Sequence, residues 1–333
     1  MLRIDMMSRR MFGAGLAAAL LLTAGLDQVV AQGKYPSRPV TIVLPFGAGG
    51  VGDVTARLVA GELSKRLGQP FVIDNRPGAG GIVAARAVAN AKPDGYTLGL
   101  VANGTAISAA MFKSLPVDPV TQFEMISLLG TFELVVVTGA ESPYKSLRDF
   151  VTAAKSKPGS LDIGTIAIGS GQHFTAELLK VSASIEAEIV PHKASGDVMA
   201  SLLRKDIDVV VEIPAAIRGL LADKKIRVLA TTGSKRSEIA ELADSPTAQE
   251  QGVAGLEVVS WNGLYAPVGT SKDVIETVNA AMREILADPA IRKRYLELGV
   301  QAEASSPEEL KTKLVSDIEK WTDVMQRAGI AKQ

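Results

Sequence analysis

The sequence of 333 residues contains no cysteine. This absence excludes disulfide frameworks, thiolate zinc sites, iron–sulfur clusters and cysteine nucleophiles. Aromatic residues make up only 5% of the chain, too few to predict an aromatic platform for stacking bases. Positive and negative side chains balance at 36 each, and no basic cluster forms. Nucleic acid is therefore not an expected partner.

Catalytic and metal patterns are also scarce. The two histidines, His173 and His192, have no HExxH or comparable partner spacing, so no metal site is predicted. Ser170 lies close to His173 in the sequence, but no GxSxG elbow accompanies it. Ser170 is expected either to cap the helix that follows or to bind a carboxylate. Each histidine either has a functional role or serves only the structure. No catalytic residue and no cofactor is predicted.

The amino-terminal segment has the pattern of an export signal. Arg9 and Arg10 precede an uncharged apolar run at 13–26, which is too short to span a bilayer and suits a signal peptide. Small or moderate residues at 29–31 place cleavage after Ala31, so residues 1–31 are predicted to be removed. The arginine pair allows either a twin-arginine or a general secretory signal. The mature chain is expected to be exported.

Predicted strands and helices alternate along the mature chain. Apolar runs at 40–46, 71–74 and 97–102 predict strands separated by helices, which is the rhythm of a parallel sheet covered by helices. The pattern resumes with strands at 134–138, 162–165, 185–190, 209–212 and 228–232. A last strand at 261–266 and a helical tail are expected to return to the first domain. These features predict two α/β lobes, 32–133 plus 260–333 and 134–259, around a cleft.

A glycine-rich loop joins the first strand to the first helix. Gly47, Gly49 and Gly52 formally match GxGxxG, and Asp74 follows at the spacing of a ribose-binding acid. One interpretation is therefore an exported NAD(P)-dependent oxidoreductase that uses residues 47–52. The other is a binding site for any small anion, since backbone N–H groups at a helix start favour a carboxylate as well as a phosphate. Asp53 is expected either to cap the helix or to set ligand polarity.

Several segments of the chain resemble the tripartite tricarboxylate transporter receptors, also called Bug proteins. The matching segments follow the family's order and cover essentially the whole mature chain. They are YPSRPVTIVLPFGAGGVGDVTAR (35–57), LGQPFVIDNRPGAGG (67–81), KPDGYTL (92–98), GSGQHFTAELL (169–179), VPHKASGDVMASLLRKDIDV (190–209), WNGLYAPVGTSKDVI (261–275) and WTDVMQRAGI (321–330).

The resemblance implies a periplasmic solute-binding receptor, not an enzyme, with a type II two-lobed periplasmic-binding-protein-like fold. Two Rossmann-like α/β domains with a hinge would enclose a central cleft. The ligand would be a small organic carboxylate, the partner a membrane permease of the same transporter, and the receptor a monomer. A ligand-sensing partner of a signalling receptor is a further alternative.

The resemblance also implies which residues line the cleft. They come from the first glycine loop, the loop after the third strand, the Gly-Ser-Gly segment, the turn after Lys193 and the strand that contains Asp208. Departures from the family pattern at His192, Ala194 and 204–206 bear on the ligand more than on the fold. The implied ligand-binding residues are Phe46, Gly47, Ala48, Gly49, Gly50, Asp53, Asn103, Gly104, Thr105, Gly169, Ser170, Gly171, His173, Lys193, Ala194, Ser195 and Glu212.

Overall fold

The computed structural model describes residues 35–78 and 81–333. The predicted signal peptide at 1–31 lies outside the described residues. Within them, no helix is both long and apolar enough to cross a membrane. The described strands are β1 (Val40–Leu44), β2 (Phe71–Asn75), β3 (Thr97–Ala102), β4 (Phe123–Glu133), β5 (Val135–Gly139), β6 (Asp162–Ile166), β7 (Glu188–His192), β8 (Val209–Glu212), β9 (Ile226–Thr231) and β10 (Val259–Pro267).

Helices connect most of these strands and cover the sheets. A short 3₁₀ helix, Ala240–Leu242, lies in the connection between β9 and β10. The α-helices are α1 (Val51–Leu67), α2 (Ile82–Ala89), α3 (Asn103–Met111), α4 (Leu147–Ser156), α5 (Gly171–Ala183), α6 (Ser195–Arg204), α7 (Pro214–Ala222), α8 (Lys272–Ala287), α9 (Pro289–Glu297) and α10 (Pro307–Arg327).

Residues 38–333 form two five-stranded sheets, so the fold is the predicted two-lobed α/β architecture. The first sheet has the order β2-β1-β3-β10-β4, and the second has the order β7-β6-β8-β5-β9. In each sheet three neighbouring strands run parallel, whereas β10 and β5 run antiparallel to both of their neighbours. The predicted parallel pairing is therefore confirmed for β1, β2 and β3, and the sheet also contains the antiparallel β10. Both sheets are mixed, because β5 and β10, the strands that the chain enters from the other sheet, run opposite to their neighbours.

The chain passes between the sheets at two places. Only Leu134 separates β4 from β5, so one nearly continuous extended segment enters both sheets. The return runs from β9 to β10, and β10 then lies between β3 and β4. Leu134 and Trp261, at these crossings, are both fully buried in a single apolar cluster with members from both sheets. The exact boundaries of the lobes stay a prediction.

Two elements escaped the sequence patterns. β4 is an eleven-residue strand that is buried on both faces and therefore shows no alternation of polar and apolar residues. The segment after β3, predicted as a loop at 103–105, is instead the first turn of α3. The helix begins directly at the strand end, and its N-cap is Ala102, which gives no sequence signal for a helix start. The strand predicted at 185–190 is β7, shifted to Glu188–His192.

Two helix ends show how local residues satisfy backbone groups, one through side chains and one through a glycine. The Ser146 hydroxyl accepts a hydrogen bond from the Asp149 N–H, and the Asp149 carboxylate accepts one from the Ser146 N–H. At the end of α1, Gly68 adopts the left-handed conformation with φ 74°. Residues of these types stabilise helix ends by satisfying backbone groups that lack partners within the helix.

We expect Gly130→Ala to destabilise the fold by about 1–3 kcal/mol, the range for overpacking a filled core. A methyl group at Gly130 would lie 2.8 Å from the Gln301 carbonyl oxygen and 2.9 Å from a Val300 methyl. That carbonyl accepts the Thr131 N–H, so it has little freedom to move. Urea unfolding followed by circular dichroism measures the change.

The matched control is Gly61→Ala in α1, where a methyl group would meet nothing within 4 Å. Alanine is a better helix former than glycine, so this variant should be neutral or more stable by up to about 1 kcal/mol. Equal destabilisation of the two variants would contradict the packing argument.

Candidate functional site

The carboxyl ends of the parallel strands carry the helix starts of both sheets. In the first sheet, β1 leads through a short loop into α1, and β3 leads directly into α3. In the second sheet, β6 leads into α5, and β8 leads into α7. Carboxyl ends of parallel strands share one edge, so unpaired backbone N–H groups collect there. Each edge therefore carries the positive ends of helix dipoles, which favour an anion.

The glycine loop of the first sheet is exposed and shaped by two glycines. Gly49 has φ 89°, a conformation that favours glycine. Gly52 lies against the ring of Phe46, because a Cβ at Gly52 would come within 2.8 Å of two ring carbons. Gly50 is the N-cap of α1 and forms no side-chain cap. The loop from Phe46 to Gly50 thus presents backbone groups with few side chains in the way.

Asp53 is buried and holds this loop in place. Its carboxylate accepts hydrogen bonds from the Gly49 N–H at 3.0 Å and from the Asn75 amide at 2.8 Å. Arg57 forms a bidentate pair with it, with both nitrogen–oxygen distances 2.9 Å. Of the two alternatives for Asp53, the helix cap was wrong, since Gly50 is the N-cap and Asp53 lies in the first helical turn. Asn75 also donates to the Phe46 carbonyl at 3.0 Å and so closes the network.

Asn103, the first residue of α3, is buried, with 3% of its surface exposed. Its side-chain oxygen accepts a hydrogen bond of 2.9 Å from the indole N–H of Trp321 in α10. Its amide nitrogen is buried and has no partner within the described part of the chain. Gly104, the next residue, is exposed. The hydroxyl of Thr105 accepts a hydrogen bond from the Ala102 N–H at 3.4 Å.

The Gly-Ser-Gly segment forms the start of α5 in the second sheet. Gly169 has φ 84°, and Ser170 is the N-cap, its hydroxyl accepting the His173 N–H at 3.1 Å. The helix begins at Gly171, two residues before the predicted start at His173. Burial lowers the pKa of His173, so the imidazole is neutral near pH 7. Its Nδ1 has no hydrogen-bond partner among the described residues.

Two further predicted segments lie at the carboxyl ends of β7 and β8. Lys193 and Ala194 are exposed, and Ala194 is the N-cap of α6, which begins at Ser195. Glu212 ends β8 and is fully buried. His192 is held by the Val190 carbonyl and the Ser201 hydroxyl, which supports its structural alternative.

Contacts join the predicted residues of the two sheets at one point. A Cβ built on Gly171 would lie 3.7 Å from the amide nitrogen of Asn103, so the starts of α3 and α5 face each other. Next to this contact, Phe174 of α5 packs edge-on against Trp321, with ring centroids 5.7 Å apart. Asp53, Gly49 and Phe46 form a separate group around Asn75, and Lys193 stays on the surface.

Sequence reasoning missed three residues that organise these groups. Asn75 follows Asp74 directly. Asp74 was singled out from the sequence at the end of β2, whereas Asn75 makes the contacts to the glycine loop and Asp53. Gln172 lies inside the quoted Gly-Ser-Gly segment and donates to Glu212 at 2.8 Å. Trp321 lies 218 residues from Asn103 along the chain, and no local pattern connects them. Within the described residues, no three His, Asp or Glu side chains form a group that could hold a metal ion.

Comparison with known proteins identifies the family. The model of the "Tripartite tricarboxylate transporter family receptor" matches residues 55–330. The chain belongs to this receptor family. Protein BugT of Bordetella pertussis is 29% identical over 311 residues, which cover 93% of this chain and 95% of BugT. As a family member the chain is a solute-binding receptor and not an enzyme, so the oxidoreductase alternative has no support.

Solved receptors have the same fold. The structure of Rhodopseudomonas palustris Rpa4515 with adipate is 32% identical, with a TM-score of 0.78, and covers 89% of this chain and 99% of that protein. The structure of MatC from the same organism with bound malate is 31% identical, with a TM-score of 0.73, covering 87% of this chain and 99% of MatC. Asp74, the expected ribose-binding acid, pairs with Arg76 at 2.8 Å.

We expect Asp53→Asn to destabilise this receptor by about 1–3 kcal/mol near neutral pH, the range for hydrogen bonds to a charged group. The hydrogen bond from Arg57 is the largest factor that lowers the pKa of Asp53 from 3.8 to about 2. The carboxylate therefore stabilises the folded state above pH 4, and this contribution is lost as the pH falls toward 2. Urea unfolding of both proteins at several pH values measures the difference.

Asp323→Asn is the matched control, because Asp323 pairs with Arg327 at the same i,i+4 spacing but on the exposed surface. Its effect should stay within about 0.5 kcal/mol at every pH. A difference between wild type and Asp53→Asn that stays constant down to pH 2 would contradict the assigned role of the carboxylate.

Proposed function

We propose that this receptor captures a small organic carboxylate between its two lobes and delivers it to the permease of a tripartite tricarboxylate transporter. Two observations support the proposal together. The chain belongs to the receptor family over most of its length. Two solved relatives of the same fold carry adipate and malate, which are both small carboxylates.

In the structure, the proposal is supported by the close approach of the start of α3, from the first sheet, to the start of α5, from the second. Gly171 opens α5 beside the Asn103 amide at the start of α3. Unpaired N–H groups and the positive ends of the helix dipoles then converge on one place from both sides. An anion that binds there is stabilised by both lobes, and its binding favours the closed arrangement.

Neutral donors dominate this arrangement. Arg57, the cation beside the glycine loop, is engaged by the Asp53 carboxylate and the Asn75 side chain. A ligand of low charge is therefore favoured over a tricarboxylate, since each additional carboxylate would need its own donors or cation. Backbone N–H groups and the Asn103 amide are sufficient for one carboxylate group.

The proposed lobes are residues 32–133 plus 260–333 and residues 134–259. Export after cleavage near Ala31 would place the monomeric receptor in the periplasm, where its permease partner is accessible. The proposed ligand-binding residues are Phe46, Gly47, Ala48, Gly49, Gly50, Asp53, Asn103, Gly104, Thr105, Gly169, Ser170, Gly171, His173, Lys193, Ala194, Ser195 and Glu212.

A thermal-shift screen of residues 32–333 against small carboxylates and nicotinamide nucleotides tests the function. Ligand at 100 times its dissociation constant should add about 2.7 kcal/mol of stability, which is a readily measured shift. We expect shifts with carboxylates and none with the nucleotides. A shift with a nucleotide alone would overturn the proposal.

We expect Gly49→Ala to weaken carboxylate binding by about tenfold or more. The left-handed conformation of Gly49 costs an alanine about 1–2 kcal/mol, so the loop would move its N–H groups away from the ligand. Isothermal titration calorimetry measures the loss. Gly47→Ala is the control in the same loop, because Gly47 has no such φ and open space around it. Equal losses in the two variants would contradict the loop's proposed role.

A further inference from the structure

Two buried polar atoms of complementary type remain unpaired at the proposed site. The Asn103 amide nitrogen is a hydrogen-bond donor, and the Glu212 Oε2 is an acceptor. Asn103 is 3% exposed and Glu212 is fully buried. Neither atom has a partner within residues 35–78 and 81–333. Buried polar atoms without partners are uncommon, because each costs free energy when it leaves water.

Trp321 determines which end of the Asn103 amide is unpaired. An indole N–H can only donate, so the atom 2.9 Å from it must be the amide oxygen of Asn103. The donor nitrogen of Asn103 therefore faces the other way, toward Gly171 at the start of α5. Trp321 is itself fixed by burial and by its contact with Phe174. Asn103 thus presents an oriented donor at the start of α5.

The opposite polarity is found at Glu212, at the carboxyl end of β8. Its Oε1 accepts two hydrogen bonds of 2.8 Å, from the Gln172 side chain and from the Ile213 N–H. Both of these donors are neutral, and in the described part of the chain no lysine, arginine or histidine forms an ion pair with Glu212. The second oxygen therefore accepts no bond from the protein described.

Both atoms lie beside the start of α5. Gly171 faces Asn103, and the next residue, Gln172, binds Glu212. The start of α5 therefore adjoins a donor from the first sheet and, through Gln172, a carboxylate from the second. A plain carboxylate can satisfy the donor, but it has no hydrogen to offer Glu212 Oε2.

We propose that the natural ligand is a carboxylate whose carbon chain also bears a hydroxyl or ammonium group, which donates to Glu212 Oε2 while the carboxylate accepts from Asn103. This inference rests on the proposed function and narrows its ligand class. A site with a buried hydrogen-bonding group strongly rejects an analogue that lacks the matching group, because the buried atom is then left unpaired. The substituent on the ligand therefore determines specificity.

Calorimetry with matched ligands tests the inference in the wild-type protein. One series is succinate, malate and aspartate, which share a skeleton and differ only by hydrogen, hydroxyl or ammonium. The same comparison is made with glutarate, 2-hydroxyglutarate and glutamate, and with propionate, lactate and alanine. We expect a substituted member of at least one series to bind about tenfold or more tightly than its unsubstituted parent.

Glu212→Gln then tests whether Glu212 Oε2 accepts the hydrogen bond from the ligand's hydroxyl or ammonium group. The glutamine oxygen can keep the bonds from Gln172 and Ile213, so its amide nitrogen replaces Oε2 and a donor stands in place of the acceptor. We expect the preference for the substituted ligand to fall to within about twofold of the parent. Circular dichroism and unfolding verify that the variant is folded.

Glu133→Gln is the matched control. Glu133 is also buried at the end of a strand, and its Oε1 is also unpaired, but it lies at the crossing from β4 to β5. This variant should retain the wild-type preference. A loss of preference in both variants would assign the effect to the fold and overturn the role of Glu212.

The outcomes separate the two proposals. Equal affinity for substituted and unsubstituted acids in every series that binds would overturn the inference and leave the receptor function standing. Binding of none of these acids, together with no shift for any carboxylate in the thermal screen, would overturn both. A preference that survives Glu212→Gln would also overturn the assignment, since another group would then recognise the substituent.

Discussion

The position of β10 between β3 and β4 is the constraint on which the proposed site depends. It brings the carboxyl-terminal part of the chain back onto the first sheet, and α10 then packs against α3 and β4. From α10, Trp321 reaches both the Asn103 amide and the Phe174 ring. The last helix of the chain therefore orients a polar group of the first sheet and contacts the helix that begins at the facing edge of the second.

The charge balance of the site follows from burial. The guanidinium of Arg57 is the largest factor that keeps the buried Asp53 ionised, and this pairing removes the cation from the set of groups available to a ligand. What remains for a ligand are the backbone N–H groups of the glycine loop and, at the start of α3, the neutral Asn103 amide. Neutral donors of this kind can bind one carboxylate group of a ligand that carries little charge. Clusters of arginine suit ligands that carry several negative charges.

The sequence was most informative where the determinant of structure is local. Ser146, Ser170 and Gly68 end or begin helices through bonds made within a few residues, and capping was one of the two roles expected of Ser170. β4 was not predicted because burial on both faces removes the alternation that identifies a strand, and α3 because it starts without a capping side chain. The partners of Asp53 and Asn103 come from distant elements, so their roles depend on the fold and not on spacing.

The glycine loop shows why a motif alone left two functions open. Gly49 and Gly52 serve close approach and packing, and both needs arise wherever a helix start binds an anion, whether that anion is a phosphate or a carboxylate. Discrimination between a phosphate and a carboxylate ligand therefore has to come from groups outside the glycine loop. In this receptor the facing sheet supplies a buried carboxylate oxygen, Glu212 Oε2, which no anionic group of a ligand can satisfy. A ligand that fits both edges must combine an acceptor with a donor, and that requirement is set by the two sheets together.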